Sequence, residues 1–518
     1  VNLNIPKTFE NYGFDILYQS MLELKPQELD YAKRFIDKAH WIFGQEIICA
    51  AEFAAKTENL FPVFLTCFRC SPDSYLISYF KDIMNRYNKP YLIIQLDEHS
   101  SDVGYQTRIE AAIETFKNHK SAAPKNIEIK SYKNDSIEPN DTVLIPYVSP
   151  IISELQKSVF TAYGYNAIVM PLDQKIINKG YRYASGGECM PNVAISGSLI
   201  ESIEKYSLNP ENCIVYLPTL CMACNFNQYS ILLELASEKA GYDKIKIANG
   251  NSMKHIDELP KELNVNILEV NILGSILYKL YYKFRPYTKN PPDIDDALNR
   301  SMELIKTNLT NKKPLMEAAK EIKNLFQNLQ VDMSVRKPRI AVLGDLYAKY
   351  NFILNDDIYS LIEELDGEVL VPSFTETAAH FLDADYRDNG LDIKYKRGLS
   401  LFERRYENVF KELLEDSFEP PMEEQVKLME EFGINNFIAG ETSMNVGRAL
   451  YYIKHNTVDA MVHLNPLFCC PGVVSASIFR KIQKDFNIPI IDIFYDGNNK
   501  PNKIIIPQLY YLRNKSKS

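Results

Sequence analysis

The sequence predicts an α/β protein made of several Rossmann- or flavodoxin-like parallel-sheet domains with a helical bridge. Three observations predict it. Short β-branched runs alternate with amphipathic helical patterns along most of the 518 residues. The strand candidates are apolar on both faces, as strands of a parallel sheet covered by helices are. The length suits about three domains.

Taken in order, the first strand candidates are Pro62–Thr66 and Tyr91–Leu96, and Leu76, Tyr79, Phe80 and Ile83 mark a helix between them. Thr142–Pro146, Ala167–Met170 and Cys213–Leu217 follow, and Phe226, Tyr229, Leu233, Ala236 and Ala240 mark a second helix. From Asp293 to Leu329 the pattern is helical without a strand signal and reads as the bridge. After Lys337-Pro338 a new unit starts: Arg339–Leu343, a helix through Ile358, Ile362 and Leu365, then Glu368–Val371. Phe437–Ala439, Ala460–Leu464 and Ile490–Phe494 complete the set, with Val474, Ile478, Ile482 and Phe486 on a helix. The working division has three α/β domains. Residues 1–165 carry the Cys67/Cys70 loop, 166–330 carry the Cys189 and Cys221/Cys224 loops and the bridge, and 331–518 carry the Cys469/Cys470 loop.

Lys and Arg total 58 against 67 Asp and Glu, a net charge of −9. That argues against a nucleic-acid partner, which needs a basic face. Apolar stretches such as Tyr91–Leu96 and Ile488–Ile491 fall far short of the ~20 residues of a membrane span, and no signal-peptide pattern is present. Nine cysteines, an odd number without the spacing of a secreted disulfide framework, point to reduced thiols in a cytoplasmic protein.

Three cysteines share a local pattern, each followed two positions later by proline: Cys70-Ser71-Pro72, Cys189-Met190-Pro191 and Cys469-Cys470-Pro471. Proline is favoured at the first helical position, where its missing N–H costs nothing. On that reading Ser71, Met190 and Cys470 are N-caps and each cysteine stands just outside a helix start. Cys224 fits the same scheme with Asn225 as the cap. Strands precede the Cys70, Cys224 and Cys469 loops, so those thiols lie at carboxyl ends of parallel strands, where open α/β sheets build their sites. Helix starts also favour thiolates or a thiolate-bound anionic cluster.

Cys67–Cys70 and Cys221–Cys224 are Cys-x-x-Cys pairs, whereas Cys49 and Cys213 sit in apolar runs and read as core. The metal-ligand candidates are Cys70, Cys189, Cys224 and Cys469, with Cys67, Cys221 and Cys470 in reserve. Zinc would also accept four thiolates, but its structural sites usually draw on two nearby knuckles. The two pairs here lie about 150 residues apart, so an iron–sulfur cluster held by separate loops ranks above zinc.

Other candidates carry less. Gly186 and Gly187 would let the backbone approach a cofactor, or form a turn. Glu98 and His99 follow the Tyr91–Leu96 strand and could move protons, with a solvated loop as the plain alternative. His463 reads as a core histidine. No phosphate-binding loop, dinucleotide fingerprint or His-Glu-x-x-His motif is present.

At longer range the segments FLTCFRCSPDSYLISYF (64–80) and KPYLIIQLDEHSSDVGYQTRIEAAIETF (89–116) resemble the carboxyl-terminal half of the large activators of 2-hydroxyacyl-CoA dehydratases. That region, of the CoA-protein activase and benzoyl-CoA reductase type, is related to the dehydratase D-component and to double-cubane cluster proteins. YASGGECMPNVAISGSLI (183–200), LPTLCMACNFNQYSILLELA (217–236), RIAVLGDLYAKYNFILNDDIYSLIEELDGEV (339–369) and HLNPLFCCPGVVSASIFRKI (463–482) continue the resemblance in the family's order, roughly from Phe61 to Gly497.

The resemblance implies an α/β protein that binds an iron–sulfur cluster and handles low-potential electrons, with Cys70, Cys189, Cys224 and Cys469 at the family's cysteine positions. Asn192 stands where the family often has a further cysteine, and Cys67, Cys221 and Cys470 are additional here. One 4Fe-4S cluster or a double-cubane 8Fe-9S cluster would fit such a donor set. The expected partners are an ATPase activator module or protein and a redox donor such as a ferredoxin or flavodoxin, with no nucleic acid and no membrane; a homodimer stays open. No ATPase module is visible and the chain opens on Val1, so the ATP-driven step is expected from a partner or from sequence outside this chain. Two other readings share the fold: a dehydratase-like acyl-CoA radical enzyme, and a cluster-less or zinc-binding scaffold.

Overall fold

Ten strands among the described residues form three sheets, and every strand pairing is parallel. This computed structural model describes residues 3–22, 24, 29–36, 39, 41–68, 70–97, 102–120, 136–218, 224–249, 259–378, 393–435, 440–467, 469–497 and 501–515. The chain is an α/β protein, as expected. It divides into two units. The first joins Val1–Lys133, Ala184–Cys189 and Asn227–Leu235, and the second joins Asn134–Tyr183, Met190–Phe226 and Ala236–Ser518. Among the described residues no helix is long and apolar enough to cross a membrane.

In the first unit β1 (Val63–Cys67) pairs with β2 (Leu92–Leu96), Val63 opposite Leu92 and Cys67 opposite Leu96. The helix Ser71–Arg86 connects them and buries Tyr75, Leu76, Tyr79, Phe80 and Ile83. These pack with Ile48, Phe64 and Leu232 in one apolar cluster, which removes most of that helix's apolar stripe from water. Ile94 of β2 instead joins Ile109, Ile113 and Phe116 of the helix Asp102–Lys117.

The second unit holds two four-stranded sheets. One contains β3 (Thr142–Ile145), β4 (Asn166–Val169), β5 (Cys213–Leu217) and β6 (Lys246–Asn249) in the order β4-β3-β5-β6. The other contains β7 (Arg339–Gly344), β8 (Glu368–Leu370), β9 (Ala460–Pro466) and β10 (Ile490–Tyr495) in the order β10-β9-β7-β8. In chain order both read second, first, third, fourth. The strand order therefore reverses between β3 and β5, and again between β7 and β9. Crevices outside the carboxyl ends of strands at such reversals are where open α/β sheets bind ligands.

The division of the sequence at residue 165 runs through the first of these sheets, because β3 pairs with β4 and β5. Strand β6 had no counterpart among the strand candidates, and Phe437–Ala439 lies outside the described residues. The expected bridge is two helices, Pro291–Thr310 and Leu315–Gln327. Their buried residues Ile294, Ile305, Ile322 and Phe326 share one core with Val143, Ile145, Ile340 and Val342 of the two sheets.

Candidate functional site

The cysteine loops are set by how each strand hands over to a helix. After β1 the Cys70 N–H bonds the Cys67 carbonyl (3.0 Å), and the Ser74 N–H bonds the Cys70 carbonyl (3.0 Å). Cys70 is the N-cap of the helix, with φ −58 and ψ 119. After β9 the Cys469 N–H bonds the Pro466 carbonyl (3.0 Å), and the Val473 N–H bonds the Cys469 carbonyl (2.9 Å). Cys469 is the N-cap of the helix Cys470–Phe486, with φ −57 and ψ 118. The two loops are thus the same strand–turn–helix device. Gly472 lets the second one close: a Cβ there would fall 2.6 Å from the Asn465 side chain.

Both caps lie one residue earlier than the spacing predicts. Cys70 and Cys469 hold the cap positions, not Ser71 and Cys470, and the prolines take the second helical position. Each cysteine keeps a non-helical ψ, 119 and 118, and a proline N–H is dispensable at the second position as well, since the first helical N–H groups have no intrahelical acceptor. Met190 is likewise the first residue of its helix, Met190–Tyr206, with Cys189 just before it. Asn225 opens a short 3₁₀ turn, Asn225–Gln228, rather than capping the helix Tyr229–Lys239.

Cys70, Cys67 and Cys189 belong to the first unit, and Cys224, Cys469 and Cys470 to the second. Cys221 lies outside the described residues, as do Glu98 and His99. None of the described cysteines is in a disulfide. Cys70, Cys189 and Cys224 are half-buried, Cys469 is buried, and Cys67 and Cys470 are exposed. Burial raises the Cys70 thiol, and the charges of Asp73 and Cys67 add to it, against the Asp73 backbone N–H. Partial desolvation by the surrounding protein also raises Cys470, although the residue still reaches solvent. A bound cation would reverse that balance, because a coordinating thiol is deprotonated outright. Cys49 and Cys213 are buried, and burial pushes the Cys213 thiol up to about 11.

Within the first unit the Cys189 segment lies on the helix that begins at Cys70. The Glu188 carboxylate accepts from the Ser78 hydroxyl of that helix (2.6 Å), and a Cβ on Gly187 would meet Ser74 at 3.5 Å. The backbone N–H groups of Gly186 and Gly187, read from the sequence as a cofactor approach or a turn, both donate to Glu188 (2.9 and 3.1 Å). His463 is a buried core histidine between Asp492 on Nδ1 (2.7 Å) and Asn465 on Nε2 (3.0 Å), and desolvation lowers its pKa.

The sequence did not single out a buried charge network at the carboxyl ends of β7 and β8. Lys349 pairs with Glu376, Arg448 with Glu376 and Glu419, and Lys279 with Glu419 (2.7 Å). Asp345 caps the next helix through the Ala348 N–H (2.7 Å), and Glu441 accepts from the Leu346 N–H (3.1 Å). Burial and the neighbouring Asp345 push Glu441 up to about 8, against Lys349. Burial also pushes Glu403, bonded to Thr375, up to about 7. Arg448 lies in a helix whose residues from Thr442 to Leu450 are all buried, a burial that only the fold reveals. A cation there must have a buried partner.

Among the described residues no group of three or more His, Cys, Asp and Glu side chains is gathered as a metal site. The candidate donors are thiols, the ligation chemistry of iron–sulfur clusters and of zinc. The fold and these loops define a parallel-sheet α/β protein with cysteines at helix starts. No family model matches the chain, and no curated protein matches it.

Proposed function

We propose that this chain binds an iron–sulfur cluster and serves as a low-potential electron-transfer or reductase component of the dehydratase-activator type. Cys70, Cys189, Cys224 and Cys469 are the proposed thiolates, with Cys67, Cys221 and Cys470 as further donors. The observation that carries the reading is the repeated loop: Cys70 and Cys469 cap helices of 16 and 17 residues through matching turns at the ends of β1 and β9. Such helix starts stabilise negative charge, which suits a thiolate-bound cluster. In the second unit, Cys224 follows β5 and Cys469 follows β9, the third strand of each sheet and a partner in its order reversal.

When bound, the cluster supplies one-electron transfer at low potential. The residues of the chain hold it, limit its exposure to water and set the charge around it. Electrons are proposed to come from a ferredoxin- or flavodoxin-like donor, and ATP hydrolysis from a partner. Anaerobic reconstitution with iron and sulfide tests this. The expected result is broad visible absorption and, after reduction, a paramagnetic signal. A colourless, EPR-silent protein contradicts it.

A further inference from the structure

The stretch Ala184–Cys189 is a short visit of the chain to the first unit, with second-unit segments on both sides. It is poorly anchored by apolar burial, since none of its six residues is fully buried. Polar contacts hold it instead, and they converge on Glu188. One carboxylate oxygen accepts from the Ser185 N–H (2.6 Å) and the Ser78 hydroxyl (2.6 Å). The other accepts from the N–H groups of Gly186 (2.9 Å) and Gly187 (3.1 Å). The Ser78 and Ser185 hydroxyls are 2.9 Å apart, so Ser185 can donate to Ser78 while Ser78 donates to Glu188. Gly186, at φ +101, takes the conformation that turns successive N–H groups to one side. Three consecutive N–H groups around one anion form a nest, and the chain fills this one with its own carboxylate.

We infer that Glu188 is a latch that ties the Cys189 segment to the helix beginning at Cys70. It is a positioning residue for the proposed thiolate pair. Its purpose rests on the cluster reading, but the latch itself can be measured without a cluster. Ser78 ties Glu188 to the helix, whereas the three N–H groups are local. Ser78→Ala therefore cuts the latch and leaves the nest intact, while Glu188→Ala removes both.

The test is peptide-resolved alkylation of the full chain, free of iron, with iodoacetamide. In Glu188→Ala the Cys189 rate should rise at least about tenfold over the parent, the effect of losing charge-assisted hydrogen bonds. Ser78→Ala should raise it in the same direction, and Glu188→Gln, which keeps an acceptor oxygen, should recover part of the protection. Buried Cys49 reports whether the first unit stays folded and should keep its parental rate. Parental Cys189 rates in both Glu188→Ala and Ser78→Ala overturn the latch. The two readings separate cleanly. A protein that takes up no iron but exposes Cys189 on losing Glu188 keeps the latch and loses the cluster. One that binds iron but shows no change in Cys189 does the reverse.

Discussion

Replacing Glu441 with glutamine should flatten the pH dependence of the second unit's stability. Glu441 is buried and faces Asp345 from the end of β7, Lys349 from the following helix and Glu376 after β8, with Arg448 on its own helix bonded to Glu376. The network's acids, Asp345, Glu376, Glu403, Glu419 and Glu441, outnumber its bases, Lys279, Lys349 and Arg448. Burial raises both Asp345 and Glu441, the latter from 4.5 to about 8, so this facing pair keeps a proton where the unfolded chain has lost it. The sign follows from proton binding. Below pH 4.5 both states hold the proton; between there and about 8 the unfolded chain loses it while the fold keeps it. The fold therefore loses stability as pH rises through this window, by up to about 1.4 kcal/mol per pH unit.

Glu403 adds a contribution of the same sign, and His463, held neutral, opposes it below its ordinary 6.5. Only the difference between parent and variant isolates Glu441. The assay is urea unfolding between about pH 5 and about pH 8, followed by circular dichroism for the whole chain and by the single tryptophan, Trp41, for the first unit. The parent should lose stability more steeply with pH than Glu441→Gln, with no such difference in the Trp41 signal. Parallel pH curves for the two proteins would refute the reasoning.

Other substitutions test other parts. Gly197→Ala should cost at least about 1–3 kcal/mol, because its new methyl would land on the Ile176 carbonyl where the helices Gln174–Tyr181 and Met190–Tyr206 touch; an unchanged unfolding midpoint contradicts this. Arg448→Ala leaves Glu376 and Glu419 without their shared cation and should cost about 3–5 kcal/mol, read from urea unfolding at neutral pH. Loss below about 1 kcal/mol would mean that the network is not as dry as its burial indicates. Cys213→Ala should leave reconstituted iron content unchanged, whereas alanine at Cys70, Cys189, Cys224 or Cys469 should each lower it. Equal iron in all five variants removes those four from the ligand set.

The strands were readable because β-branched, two-faced apolar runs have few other places to go. Cys213–Leu217 matches β5 residue for residue. Lys246–Asn249 was not readable: β6 is a four-residue edge strand with a lysine at its start and no alternation. Helix starts at Cys70 and Cys469 were legible from proline, but not to the residue, because proline fits the second helical position as well as the first. The shared order of the two sheets could not be read locally, since it depends on which distant strands pair. Glu188 was invisible for a similar reason: its partner Ser78 lies 110 residues earlier. The buried charges were hidden differently, since Lys349, Glu376 and Arg448 look like surface residues until tertiary packing closes over them.

Iron and acid-labile sulfide measured per chain in anaerobically isolated and reconstituted protein bear most directly on the central claim. The account predicts at least about four irons with matching sulfide, falling when Cys70 or Cys469 becomes alanine. Absence of both iron and sulfide, or about one zinc per chain without sulfide, would contradict it.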